Sequence, residues 1–165
     1  CGYAQGVKAV NANATVIANM TGTTPAAWND PVKGSELTQA QISQGADVVF
    51  AAAGGTGVGV LQTAADEGIL SIGVDSNQNY LHSGKVLTSM LKRVDIAVYE
   101  AFKSGNNLET GNFTGAVGYA MDEHNASLVT AGMQAKVEKA LASITSGALS
   151  VHNYTDDETC PAVSF

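Results

Sequence analysis

Hydrophobic positions along this chain fall into two alternating rhythms. Consecutive β-branched or small apolar residues predict strands in "ATVIANM" (14–20), "ADVVFAAAGG" (46–55), "ILSIGVD" (69–75), "NFTGAVGYAM" (112–121) and the short "ALSV" (148–151). Between them the spacing turns helical. Residues 2–11 place Tyr3, Val7 and Val10 on one side, and 32–45 predict a helix that Gly45 can close in a left-handed conformation. Residues 56–68 predict a helix capped by Thr56 and closed by Gly68. The longest predicted helix is 84–105, with Val86, Leu87, Met90, Leu91, Val94, Val98 and Phe102 in one apolar stripe. One or two more helices are predicted in 126–147, and the turn formers of 21–31 predict a loop.

Strand and helix alternate, with connections too long for hairpins. That pattern predicts an α/β fold with a mainly parallel sheet and helices on both faces. Strands apolar at successive positions are those covered on both sides. One α/β lobe is expected over 1–151, followed by an extended acidic tail over 152–165.

Composition narrows the classes. At 165 residues, 45% hydrophobic and 14% charged, the chain can build a core and does not match a disordered one. Net charge is −7, and the eight basic residues form no cluster, so nucleic acid is not an expected partner. No apolar run approaches the roughly 20 residues of a membrane span.

Cys1 and Cys160 bracket the chain. They are read as a disulfide tying the tail in an oxidising compartment, against two free thiols, or a lipid attached at Cys1 as in bacterial lipoproteins. A start at Cys1 without methionine reads as a processed product or a fragment. Asn-x-Ser/Thr triplets begin at Asn13, Asn19, Asn112, Asn125 and Asn153. Five exceed the roughly two that chance gives, and suggest a secreted glycoprotein.

The candidate chemistry gathers in "FAAAGGTGVGVLQTAADEGILSIGVDSNQ" (50–78). In parallel sheets ligands bind beyond the carboxyl ends of strands. Gly54 and Gly55 are predicted at one such end, Asp75 at another, and the loop of Trp28 and Asp30 after a third. A dinucleotide fingerprint needs G-x-G-x-x-G; here Gly55, Gly57 and Gly59 run G-x-G-x-G, with Val60 where the last glycine belongs. No Gly-Lys-Ser/Thr follows, so no P-loop is present. A sugar-type site fits better. Amides at the start of 56–67 can donate to a ligand oxygen, Asp75 can accept from two hydroxyls, and Trp28 offers a flat apolar face. The plainer alternative has Trp28 filling a loop cluster and Asp75 capping a turn. His82, His124 and His152 lack metal-ligand spacing and no nucleophile–His–acid set is visible, so neither an enzyme, a metal nor a cofactor is expected.

"GADVVFAAAGGTGVGVLQTAADEGILSIGVDSNQ", "GKVLTSMLKRVDIAVYEAF", "GYAQGVKAVN" and "WNDPVKGSE" closely resemble the basic membrane protein family, the purine-nucleoside-receptor-like substrate-binding lipoproteins of ABC transporters. The resemblance covers about 2–150. It implies one lobe of a periplasmic-binding-protein type I clamp, whose two lobes close on a nucleoside. It also implies that Trp28 stacks on a base, Gly54 lines the pocket, Asp75 takes ribose hydroxyls and Lys92 reaches the sugar. The family's amino-terminal lobe has no counterpart in this sequence. Two functions follow. One is a non-enzymatic extracytoplasmic binding module, with that lobe supplied by another chain or removed by processing. The other is a secreted, glycosylated structural subunit of an extracellular assembly or filament, with copies of itself as partners and ligand binding lost.

Overall fold

The computed structural model describes residues 1–105 and 116–163. They form two compact units. Cys1–Met20 with Ala131–Phe165 make the first, and Thr21–Thr130 the second.

In the second unit, three strands lie parallel in the order β1 (Val48–Phe50), β2 (Leu70–Asp75), β3 (Val86–Lys92). A fourth, β4 (Val117–Tyr119), runs antiparallel on β3, so the sheet is mainly parallel, as predicted. The predicted strand at 112–121 begins partly outside the described residues. Of the helices, α2 (Pro31–Ser43) packs on α3 (Gly57–Asp66), and α3 packs on β1 and β2. Val49, Ala51, Val60, Leu61, Ala64 and Val86 form the buried core between sheet and helix. Gly45 (φ +95°) and Gly68 (φ +77°) end α2 and α3. In each case the following residue donates to the carbonyl five positions back, Ala46 to Gln41 and Ile69 to Ala64.

The predicted helix 84–105 is corrected. Residues 86–92 are strand β3, and only Val94–Ser104 is helical, as α4. A run such as Val86-Leu87-Thr88-Ser89-Met90-Leu91 fits a buried strand and an apolar helix face alike; the arbiter is a ladder partner, and β2 supplies it. The stripe divides accordingly. Val86 is fully buried, while Val94, Val98 and Phe102 of α4 are exposed.

The first unit holds α1 (Gly2–Val10) and α5 (Ala131–Thr145). Gln5 exchanges two hydrogen bonds with the backbone of His152: its Nε2 donates to the carbonyl and its Oε1 accepts from the N–H, each at 2.9 Å. Cys1 and Cys160 form a disulfide, which ties the tail down. The same sulfur of Cys1 therefore carries no lipid thioether while this bond stands. The predicted strands at 14–20 and 148–151 are absent: neither segment joins the sheet. β-branched composition makes an extended segment; only a neighbouring strand makes it a ladder.

Candidate functional site

Because β1, β2 and β3 are parallel, their carboxyl ends share one edge of the sheet. Gly54 follows β1 by four residues, Asp75 ends β2 and Lys92 ends β3. Lys92 was predicted within a helix; as the last residue of a strand it is delivered to the same edge as Asp75. Lys92 Nζ lies 2.7 Å from Asp75 Oδ1, with both side chains about half exposed.

Trp28 reaches this edge by a route the sequence did not suggest. The segment before its loop is not a strand. The loop is instead pinned by Thr56, whose Oγ1 donates to the Ala27 carbonyl and accepts from Asp30 N–H, both at 2.7 Å. Thr56 is fully buried, so it fastens the loop rather than capping α3 through its side chain. The signal was a hydroxyl residue inside an otherwise bare glycine cluster. Trp28 is left 61% exposed, which is high for the chain's only tryptophan.

The glycines answer to the same loop. Gly54 sits at φ +55°, and a Cβ on it would lie 3.3 Å from the Trp28 ring and 3.2 Å from the Trp28 carbonyl. A Cβ on Gly55 would meet Asn29 Oδ1 at 3.2 Å. Further along, Gly59 lies where a Cβ would run into the Pro31 carbonyl at the start of α2. The cluster is thus spaced for packing loop 21–31 and α2 against α3. Asp30 contributes as the N-cap of α2, accepting from Lys33 N–H at 2.9 Å.

Behind Asp75 lies a polar network. Asp122 Oδ2 accepts from Asn77 Nδ2 at 2.6 Å and from Asn79 Nδ2 at 3.2 Å, and Oδ1 accepts from His124 N–H at 2.8 Å. The Asn77 bond leads in holding the Asp122 carboxyl below the usual carboxylate range; partial burial works against it, and the His124 N–H adds to the lowering. Asp122, Glu123 and His124 each bring one potential ligand atom within 4.8 Å of the others, and both Asp122 oxygens also accept hydrogen bonds within the network.

The predicted glycosylation positions divide. Asn13, Asn19 and Asn153 are exposed, and Asn112 lies outside the described residues. Asn125 is corrected. It is fully buried, and its Nδ2 donates to the carbonyls of Leu87 and Ala120 at 2.9 and 3.0 Å, so a glycan on that nitrogen would break the fold.

A sequence model of the family described as ABC transporter substrate-binding protein PnrA-like (Bmp) matches residues 1–146. The chain belongs to this family. Among curated Bmp relatives, basic membrane protein D of Borreliella burgdorferi is 36% identical over 116 residues, covering 69% of this chain and 32% of that protein. The CD4+ T-cell-stimulating antigen of Listeria monocytogenes is 34% identical over 176 residues, covering 91% and 47%. The chain therefore spans about a third to a half of the curated relatives it matches. A solved transcriptional activator of the comK gene from Bacillus halodurans superposes with a TM-score of 0.65 at 26% identity, covering 76% of this chain and 46% of that one. An ABC transporter solute-binding protein from Aeropyrum pernix gives 0.70 at 23% identity over 94% and 54%, a likeness of fold. Among the described residues no helix is long and apolar enough to cross a membrane.

Proposed function

We propose that this Bmp chain is part of an extracytoplasmic, non-enzymatic solute-binding module of nucleoside type, with the strand-end rim as its half of the site. The observation that carries the reading is the Asp75–Lys92 pair at the tips of adjacent parallel strands. A carboxylate accepts hydroxyl protons, and an ammonium beside it donates to ring or hydroxyl oxygens. Together they suit a sugar better than a purely anionic or purely apolar ligand. Trp28 offers an exposed ring face on the same edge for a base, and Gly54 and Gly55 let the loop that carries it pack close against the end of β1. One rim leaves a ligand half open, whereas small-molecule sites bury most of their ligand. The opposing surface is a partner lobe of the kind its longer relatives have length for. In this reading the rim lies within the unit Thr21–Thr130, and 152–165 are a tail held by the disulfide.

Isothermal titration of the folded protein with inosine, adenosine and guanosine tests this. Binding that Asp75→Ala abolishes supports it. No heat with any of the three, in a preparation holding every chain that copurifies, overturns it.

The exposed apolar positions Val94, Val98 and Phe102 on α4 favour a second reading, a secreted structural subunit in which such a face is covered by other copies. Glycans at Asn13, Asn19 and Asn153 belong to that reading. A strict monomer by sedimentation at high concentration removes it.

A further inference from the structure

Asp75 holds a backbone conformation that needs support. Its φ is +68°, and Ser76 N–H donates to the Val74 carbonyl at 2.8 Å, so Asp75 is the middle residue of a three-residue turn of the rare, strained hand. Strained residues persist where their surroundings over-determine them, and they cluster at ligand sites.

Here the surroundings can be named. Gln78 Oε1 accepts from Val74 N–H, the residue that opens the turn, at 2.8 Å. Gln78 N–H in turn donates to Ser89 Oγ at 2.9 Å, and Ser89 Oγ donates to Asn79 Oδ1 at 2.8 Å. Asn79 is joined to Asp122 by its Nδ2. Ser89 and Asn79 are fully buried, so this end of the chain of bonds is fixed in the interior. Gly73 makes the room: a Cβ there would lie 2.7 Å from Gln78 Oε1 and 2.8 Å from Ser89 Oγ.

We propose that Gln78, anchored through Ser89 and Asn79, is the positioning residue that aims the Asp75 carboxylate and makes the rim select a vicinal diol. The proposal rests on the nucleoside reading of the rim. A carboxylate held in one direction meets both hydroxyls of a ribose at once, and a site built for a hydroxyl penalises the ligand that lacks it. A carboxylate on a relaxed turn accepts from either hydroxyl alone and loses that preference.

Gln78 is only partly buried, so it can be changed without opening the core. Gln78→Met keeps the length and removes the acceptor; Gln78→Glu keeps an oxygen for Val74 N–H. Without ligand, NMR of the full chain should show the Val74 and Ser76 amide and Asp75 carboxyl resonances displaced in Gln78→Met, with the amides near their wild-type positions in Gln78→Glu. Unmoved resonances in Gln78→Met overturn the proposal. With ligand, Gln78→Met should weaken inosine binding about tenfold, the scale of one lost hydrogen bond, and reduce the preference for inosine over 2′-deoxyinosine. Gln78→Glu should recover most of both. An equal loss for the two nucleosides marks a merely structural role and overturns the proposal. If the wild-type protein binds neither, the nucleoside reading fails, and the ligand-free spectra still decide whether Gln78 holds Asp75.

Discussion

Lys92 Nζ and Asp75 Oδ1 meet at 2.7 Å across the tips of two parallel strands. Because both are about half exposed, water screens the pair, and it contributes at most about 1 kcal/mol to folding. Lys92→Met should therefore leave the thermal midpoint within a few degrees of wild type. Nucleoside affinity, measured by titration, should fall at least severalfold. A large drop in stability would show that the pair is chiefly structural.

The backbone of Asp75 makes a separate prediction. At φ +68°, asparagine is tolerated and a β-branched residue is not. Asp75→Asn should unfold in urea close to wild type, and Asp75→Val should be about 1–2 kcal/mol less stable than Asp75→Asn.

Gly54 and Trp28 are similarly bound together. Gly54→Ala forces a side chain into a left-handed residue and against the indole, and should cost about 1–2 kcal/mol. Trp28 is the only tryptophan, so its emission reports the shift directly.

Thr56→Val keeps the shape and removes two hydrogen bonds, leaving the Asp30 N–H and the Ala27 carbonyl without their partner. The expected loss is about 1–3 kcal/mol by denaturant titration, with the Trp28 loop loosening first, seen as faster amide exchange at Asp30.

Acid should destabilise the protein through Asp122. Its folded pKa lies below the ordinary carboxylate value, led by the Asn77 hydrogen bond. The stabilisation is therefore fully present above the unfolded value of about 3.9 and is lost as pH falls through the folded one. Asp157, lowered chiefly by the Thr159 hydroxyl, and Asp95, lowered chiefly by Arg93, act in the same direction. Asp122→Asn should flatten the fall in stability below about pH 4 in urea titrations across that range. An unchanged slope would mean that Asp122 titrates alike in the folded and unfolded chains.

Local pattern alone determined much of this protein. The alternation of runs specified α/β with a mainly parallel sheet; α1, α2, α3 and β2 lie where periodicity places them, and Gly45 and Gly68 end their helices as backbone chemistry requires. The "GADVVF…GVDSNQ" stretch carried the family, and parallel order placed Gly54 and Asp75 on one edge. What the sequence left open was pairing. Whether 86–92 is strand or helix, and whether 14–20 and 148–151 are strands at all, depends on a neighbouring strand from elsewhere in the chain, which no run of side chains encodes locally. The same holds for the site. Lys92 finds Asp75 only because β3 lies beside β2, Thr56 fastens the Trp28 loop only because α2 packs on α3, and Asn125 is lost as a glycan acceptor only because its amide meets the carbonyls of Leu87 and Ala120 in the interior. Side-chain chemistry is local, but hydrogen-bond and ladder partners are assigned by the chain's return, so tertiary structure decided which groups meet.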